Sequence, residues 1–216
     1  MLPLFALLAA VNLPVAPADG TYRYTAMLAG AQAGSCTITV KHSADTVQIG
    51  EAANAKYGGA SYAGNATLTL DPSLAPVSYT ALYSPPGRSV HAAVAFKSND
   101  AFETSDNGNQ TFALNSGTQH FVLLDGTLFA GFFILPAQLH AWNAPPVTAV
   151  APMFGRSTTI AAASSLKPDR PKTLPATDVA ISVSDPVEFT LWYDPATLIV
   201  DELDVPNQSA SFIRVR

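Results

Sequence analysis

Cysteine is nearly absent from this chain of 216 residues, and Cys36 is the only one. No disulfide bond can therefore form within the chain. We interpret Cys36 as a strand residue, because no basic partner that would activate its thiol stands near it in the sequence. Hydrophobic residues are plentiful at 48%, which provides ample material for a core. The length corresponds to one domain of ordinary size, or at most two small ones.

Charged residues are also scarce. They make up 12% of the chain, against about 25% in typical soluble domains, and Ala, Thr, Ser and Gly take their place. Acidic residues outnumber basic ones, which gives a net charge of -5 and a pI near 5.2. Because the phosphates of nucleic acids require a basic protein face, this balance argues against a nucleic-acid partner.

The sequence motifs of nucleotide-binding and hydrolytic enzymes are missing. There is no P-loop, no dinucleotide-binding glycine pattern and no G-x-S-x-G. Ser116, His120 and Asp125 stand near one another in sequence, but Asp125 has a simpler role as a helix cap. The histidines lack metal-ligand spacing: His42, His91, His120 and His140. We therefore predict no metal, no cofactor and no catalytic residue, and an enzyme is the less favoured class.

Three carboxylates stand close together in one predicted strand, at Asp201, Glu202 and Asp204. Paired carboxylates can act as acid and base, or they can bind Ca²⁺. On an exposed strand face they more often prevent a sheet edge from pairing with neighbouring molecules. We interpret these three residues in that second way.

The N-terminal segment is apolar and ends in Ala16-Pro17-Ala18, an A-x-A pattern that signal peptidase could cleave. It departs from the usual signal in lacking a Lys or Arg near Met1. We interpret residues 1–18 as a signal peptide cleaved after Ala18, and residues 19–216 as one exported domain in the periplasm or at the cell surface. The alternative is a hydrophobic N-terminal strand or an uncleaved anchor.

Apolar and polar residues alternate from Asp19 onward. Tyr22 and Tyr24 fall on one face of the first predicted strand, since side chains in a strand repeat with a period of two. Gly30 and Gly34 bracket the first predicted turn. About eight short strands precede the central apolar segment and more follow it, with no helical crossover among the early ones. This spacing predicts a large antiparallel sheet that curls.

The central segment 123–142 is the most apolar window after the N-terminus, with sixteen residues after Asp125 that include no Asp, Glu, Lys or Arg. It predicts a single buried helix, capped by Asp125 and kinked or restarted at Pro136. Its eight large apolar side chains contribute very roughly 15 kcal/mol when buried, against about 3 kcal/mol for the proline. A membrane span is the weaker interpretation, because the segment contains Gly, Pro, Gln and His and lacks basic flanks. We expect the sheet to wrap around this helix.

Three groups of residues carry a resemblance to a known family. They are Gly20-x-Tyr22-x-Tyr24 with Ile38-Thr39-Val40; Phe121 to Asp125, leading into the aromatic helix; and Leu191-Trp192-Tyr193-Asp194 with Leu198, Val205-Pro206 and Arg214. On these residues the chain from about Gly20 onward resembles exported bacterial proteins grouped under domains of unknown function, which are similar in fold to the periplasmic lipoprotein carriers. The resemblance implies an open half-barrel around one helix, sometimes with an apolar cavity, and no established catalytic residues. Thr197, where a turn glycine is usual, and Pro136 depart from the pattern.

The expected fold class is mainly β, an antiparallel half-barrel wrapped around one central helix. Its concave face is suited to a hydrophobic ligand such as a lipid or acyl chain, unless aromatic side chains fill it. The candidate ligand contacts are aromatic: Phe129, Phe132, Phe133, Trp142, Tyr22, Tyr24 and Trp192. One alternative function is an envelope structural or assembly protein that recruits a protein partner by strand addition. Another is an enzyme that holds a reactive substrate in the cavity.

Overall fold

A twelve-stranded antiparallel sheet holds most of the strands in this computed structural model, which describes residues 16–106, 108–125, 128–160, 170–185 and 188–216. Residues 1–15 of the predicted signal peptide lie outside the described residues. In chain order the elements are β1 (Gly20–Leu28), β2 (Ala31–His42), β3 (Val47–Tyr57), β4 (Ala60–Leu70), β5 (Pro76–Ser84), β6 (Val90–Phe96), β7 (Asp100–Ser105), β8 (Gly108–Ala113), β9 (Phe121–Leu123), α1 (Ala130–Ala141), β10 (Val147–Ala151), β11 (Arg156–Ile160), β12 (Val179–Val183), β13 (Phe189–Asp194), β14 (Ile199–Val205) and β15 (Ala210–Arg214). Short 3₁₀ turns span Pro152–Phe154 and Pro206–Gln208.

The strand order of the large sheet is β12-β13-β14-β15-β1-β2-β3-β4-β5-β6-β7-β8. The first and last strands therefore pair in its interior, with Tyr24 of β1 opposite Arg214 of β15. Every other pairing in this sheet joins strands consecutive in the chain, as expected where short turns form antiparallel hairpins. The sheet is open and curls around the helix, so the predicted fold class is confirmed.

A smaller sheet of three strands, in the order β11-β10-β9, packs against the helix side of the molecule. β9 and β10 pair in parallel, with Val122 opposite Ala149. Helix α1 makes the crossover between these two strands, which is the usual connection of a parallel pair. β9 is not among the predicted strands, and its parallel pairing with β10 departs from the expected antiparallel topology; only its last residue, Leu123, belongs to the predicted helix.

The central helix is shorter than predicted. Residues 121–123 form β9, and the helix runs from Ala130 to Ala141 without interruption, so no restart occurs at Pro136. All of its residues from Ala130 to Leu139 are buried, which confirms the prediction of a buried apolar helix. Packing on every side offsets the backbone hydrogen bond that proline cannot donate. Among the described residues, no helix combines the length and apolarity needed to cross a membrane.

Aromatic side chains fill the space between the helix and the large sheet. Phe129 packs edge-on against Tyr24, with ring centroids 4.7 Å apart, and stacks on Phe212 at 5.1 Å. Phe132 meets Phe189 edge-on at 5.0 Å. Edge-to-face and offset contacts between aromatic rings add to the gain from burial alone. This aromatic layer joins the helix to β1, β13 and β15.

Two local interpretations of the sequence are wrong. Gly34 does not bracket the first turn, which lies at 29–30, but stands inside β2, where an added Cβ would come 1.9 Å from the backbone oxygen of Asn54. Asp201 does not guard a sheet edge, because β14 pairs on both sides and Asp201 is buried. The two strands at the ends of the order are β8 and β12.

Candidate ligand-binding site

The seven aromatic residues proposed from the sequence lie in the core or at its margin. Tyr24, Phe129, Phe132 and Phe133 are almost fully buried, and Trp192 is nearly so. Tyr22 and Trp142 are partly buried and pack against the core; the Trp142 ring stacks on His120, with centroids 4.3 Å apart. None of the seven lies in the wall of the cavity described next. Their role as ligand contacts stays a prediction.

A cavity of about 440 Å³ opens where β1, β3, β4, β5 and β15 approach the N-terminal end of the helix. The largest group in its wall consists of seven small apolar residues: Ala26, Ala29, Ala53, Ala55, Ala63, Ala210 and Gly64. Three aromatic rings bound it: Tyr62, Tyr83 and Phe212. The remaining wall residues are Met27, Leu28, Asn54, Leu128, Gln208 and Ser209.

The strand register explains why space remains at this end of the core. Phe212, Ala26, Gly34, Ala55 and Tyr62 stand opposite one another on five successive strands, from β15 to β4. Residues directly opposite in a sheet place their side chains on the same face. Three small residues therefore lie side by side between two aromatic rings, and the sheet leaves a trough along this row.

Leu128 and Gly64 form the deep end of the cavity, and both are buried. A Cβ added to Gly64 would lie 2.5 Å from a methyl carbon of Leu128. The missing side chain at position 64 therefore lets Leu128, two residues before the helix, reach the sheet.

Two turns meet at the open end of the cavity. The backbone N–H of Ala29 donates to the carbonyl oxygen of Ser209 at 2.7 Å, which ties the β1–β2 turn to the end of the 3₁₀ turn. Both residues adopt positive φ, at 48° and 49°. Gln208 and Ser209 are exposed here and bring amide and hydroxyl groups to the rim, whereas the side-chain amide of Asn54 donates to Ser35 on the other face of the sheet. The cavity thus changes from apolar inside to polar and uncharged at its mouth.

A buried polar cluster supports the helix beneath the cavity. Glu51 of β3 accepts hydrogen bonds from the backbone N–H groups of Phe129 and Ala130, each at 2.7 Å. Asp125, predicted to cap the helix, instead accepts a bond from the Tyr79 hydroxyl at 2.8 Å. The prediction failed because the helix begins five residues later than Asp125, at Ala130.

Burial raises the pKa of Glu51 to about 7, although bonds from Phe129, Ala130 and the Cys36 thiol oppose the rise, and the nearby Asp125 adds to it. Burial likewise raises the pKa values of Tyr79 and Cys36. A carboxyl group that titrates near neutrality is suited to acid–base chemistry. Glu51 is nevertheless buried and absent from the cavity wall, so its position supports a structural role.

A second charged cluster lies where β14, β15 and the residue before β12 meet. Arg214 and Arg216 each donate to a different oxygen of Asp201, at 3.1 and 3.0 Å. Burial, followed by the charge of Asp201, raises the pKa of the adjacent Asp178 to about 6, while Arg216 opposes the rise. Among the described residues, no group of three or more His, Cys, Asp or Glu side chains could hold a metal ion.

No protein-family model matches the chain, and no curated protein matches it either. A structural match exists to a crystal structure of a DUF1089 family protein from Pseudomonas aeruginosa, a family of unknown function. The alignment covers 80% of this chain and 90% of that protein, with 10% sequence identity and a TM-score of 0.47. With so low an identity and TM-score, the similarity says nothing about the function of this chain.

Proposed function

We propose that this protein binds one hydrophobic molecule, such as a lipid or acyl chain, in the cavity at the N-terminal end of the helix, and that it acts as a binding or carrier protein in the cell envelope. The observation that carries the proposal is the trough of small residues, with its volume of about 440 Å³. Ligand pockets in proteins commonly measure about 300–1,000 Å³ and are mostly apolar. The export component rests on residues 1–18 of the sequence.

Burial of an alkyl chain provides the free energy of binding. Each buried methylene contributes about 0.8 kcal/mol, so a chain of about ten methylenes contributes roughly 8 kcal/mol. This gain exceeds the lower estimates of the cost of association, about 4 kcal/mol. The wall of alanines and aromatic rings leaves few polar groups that a chain would have to desolvate.

A matched pair of substitutions on β3 tests the proposal. Ala55 lines the cavity, whereas Ala52 is exposed and lies outside its wall. We expect the full chain to enhance the fluorescence of the neutral apolar probe N-phenyl-1-naphthylamine, with a large loss in the Ala55→Leu variant and none in the Ala52→Leu variant. Native mass spectrometry of the purified protein checks for a bound apolar molecule. Equal probe binding by both variants and the unmodified protein would contradict the proposal.

A further inference from the structure

Building on the proposed function, we infer that the occupant is an uncharged amphiphile. Its apolar tail lies along the row of small residues and ends at Leu128. Its polar end lies at the mouth, beside Gln208 and Ser209.

The direction follows from the burial of the wall residues. Ala26, Gly64 and Leu128 are buried and apolar, so none of these three side chains offers a hydrogen bond at the inner end. Tyr83, opposite Gly64, adds one half-buried ring with a single hydroxyl. Gln208 and Ser209 are exposed at the other end. A polar group placed against these three residues would lose its hydrogen bonds to water without gaining new ones, which costs free energy. At the rim the same group stays hydrated.

The absence of charge follows from the composition of the wall. None of the residues that line the cavity is Asp, Glu, Lys, Arg or His. Glu51 lies two residues before the wall residue Ala53 on β3 and is bonded to the backbone of Phe129, next to the wall residue Leu128, so it would repel an anion when ionised. A buried ion without a counter-charge is strongly unfavourable. A hydroxyl, ester or amide head group meets no such penalty.

Arg88 is a charged residue near the cavity wall. It acts on the Tyr83 hydroxyl of the wall, where it opposes the rise in pKa that burial causes. Arg88 is exposed and lies outside the wall, so water screens its charge. The net charge of -5 also disfavours the approach of anions.

Competition with N-phenyl-1-naphthylamine at about pH 8 tests the inference, because carboxylates are ionised and alkylamines protonated there. We expect 1-decanol to displace the probe from the full chain at concentrations about tenfold lower than decanoate or decylamine, a difference of roughly 1.4 kcal/mol. Decanoate that competes as well as 1-decanol, and loses its affinity in the Arg88→Gln variant, would overturn the inference and leave the proposed function intact. Probe that does not bind at all would overturn both.

A chain-length series tests the position of the tail. In the Leu128→Ala variant the deep end opens toward the helix, so the alcohol with the highest affinity should become longer by one or two methylenes. Leu139 is also buried, but it lies near the other end of the helix and outside the cavity wall. The Leu139→Ala variant should therefore keep the length preference of the unmodified protein even if its stability falls. An unchanged preference in Leu128→Ala, or the same shift in both variants, would overturn the assigned direction.

Discussion

Glu51 and Phe129 are joined across the core by a hydrogen bond of 2.7 Å from the backbone N–H of Phe129 to the Glu51 carboxylate. The first N–H groups of a helix have no partner within the helix, and they attract negative charge. The residue before the helix is Phe129, whose side chain cannot accept a hydrogen bond. A carboxylate from the middle of β3 therefore supplies the cap that the local sequence lacks, and it ties the helix to the sheet.

The stability of the folded protein should depend on pH through Glu51. The pKa of Glu51 is about 7 in the folded protein, against an ordinary value of 4.5. Between these two values the folded state binds more protons than the unfolded state, so this group makes the protein less stable as the pH rises. The loss amounts to roughly 3 kcal/mol across that window. Since glutamine does not ionise, the Glu51→Gln variant should lack this component in urea unfolding at a series of pH values.

The control for this prediction is the exposed Asp45, whose replacement by asparagine should leave the pH profile of stability unchanged. The Glu51→Ala variant, which leaves the N–H groups of Phe129 and Ala130 without their acceptor, should lose about 1–3 kcal/mol even at low pH. Parallel pH profiles for the unmodified protein and Glu51→Gln would show that Glu51 does not titrate in this window.

Much of the architecture could be predicted from the sequence because it depends on local periodicity. The alternation of apolar and polar residues indicates that each strand buries one face, and the uninterrupted apolar segment indicates a helix that is buried on all sides. Residues 126–141 are expected inside the sheet; among the described residues of this range, 128–139 are buried, and His140 and Ala141 are exposed. The predicted helix begins too early, at Leu123, which is the last residue of β9, because a short apolar run suits a buried strand as well as a buried helix.

The cavity could not be predicted, because it depends on which strands are neighbours. Ala26, Gly34 and Ala55 are ordinary small residues in the sequence, and only the strand register places them in one row. Large aromatic residues were proposed as the site, yet such residues fill space, whereas small ones leave it. In the same way, Glu51 caps a helix that begins 79 residues later in the chain, at Ala130.

Gly131→Ala is expected to destabilise the protein, although it is a change from glycine to alanine within a helix. An exposed helix would gain about 1 kcal/mol from this substitution. Here the added Cβ would lie 2.0 Å from the carbonyl oxygen of Leu123 in β9, and the backbone cannot move aside without separating helix and strand. We expect a loss of about 1–3 kcal/mol in urea unfolding. Gly50→Ala is the control, because its Cβ would have no neighbour closer than 3.9 Å. A stabilised Gly131→Ala variant would contradict the close approach of helix and strand.

Tyr79→Phe removes the hydroxyl that donates to the buried Asp125 carboxylate and leaves the ring in place. The variant should lose about 1–3 kcal/mol of stability, because a buried carboxyl group loses a hydrogen-bond donor while little packing changes. Tyr62→Phe is a suitable comparison, since Tyr62 lies in the cavity wall and is only partly buried. Differential scanning calorimetry should find the larger decrease in Tm for Tyr79→Phe; equal changes would argue against a stabilising role for this bond.

Asp178 and Asp201 should respond in opposite ways to replacement by asparagine. The pKa of Asp178 is about 6 in the folded protein and its ordinary value is 3.8, so its ionisation lowers stability as the pH rises between these values. Asp178→Asn abolishes that decrease. At neutral pH the variant should therefore be more stable than the unmodified protein, and this advantage should shrink at acid pH.

Asp201→Asn instead removes the carboxylate to which both Arg214 and Arg216 donate, so both arginines lose their paired negative charge. We expect a loss of roughly 1–3 kcal/mol at neutral pH. Urea unfolding of the two variants at pH values on either side of the pKa of Asp178 measures both effects. If both variants lost stability equally at neutral pH, Asp178 would be a stabilising partner of the arginines rather than a carboxyl group whose ionisation is disfavoured by burial and by the charge of Asp201.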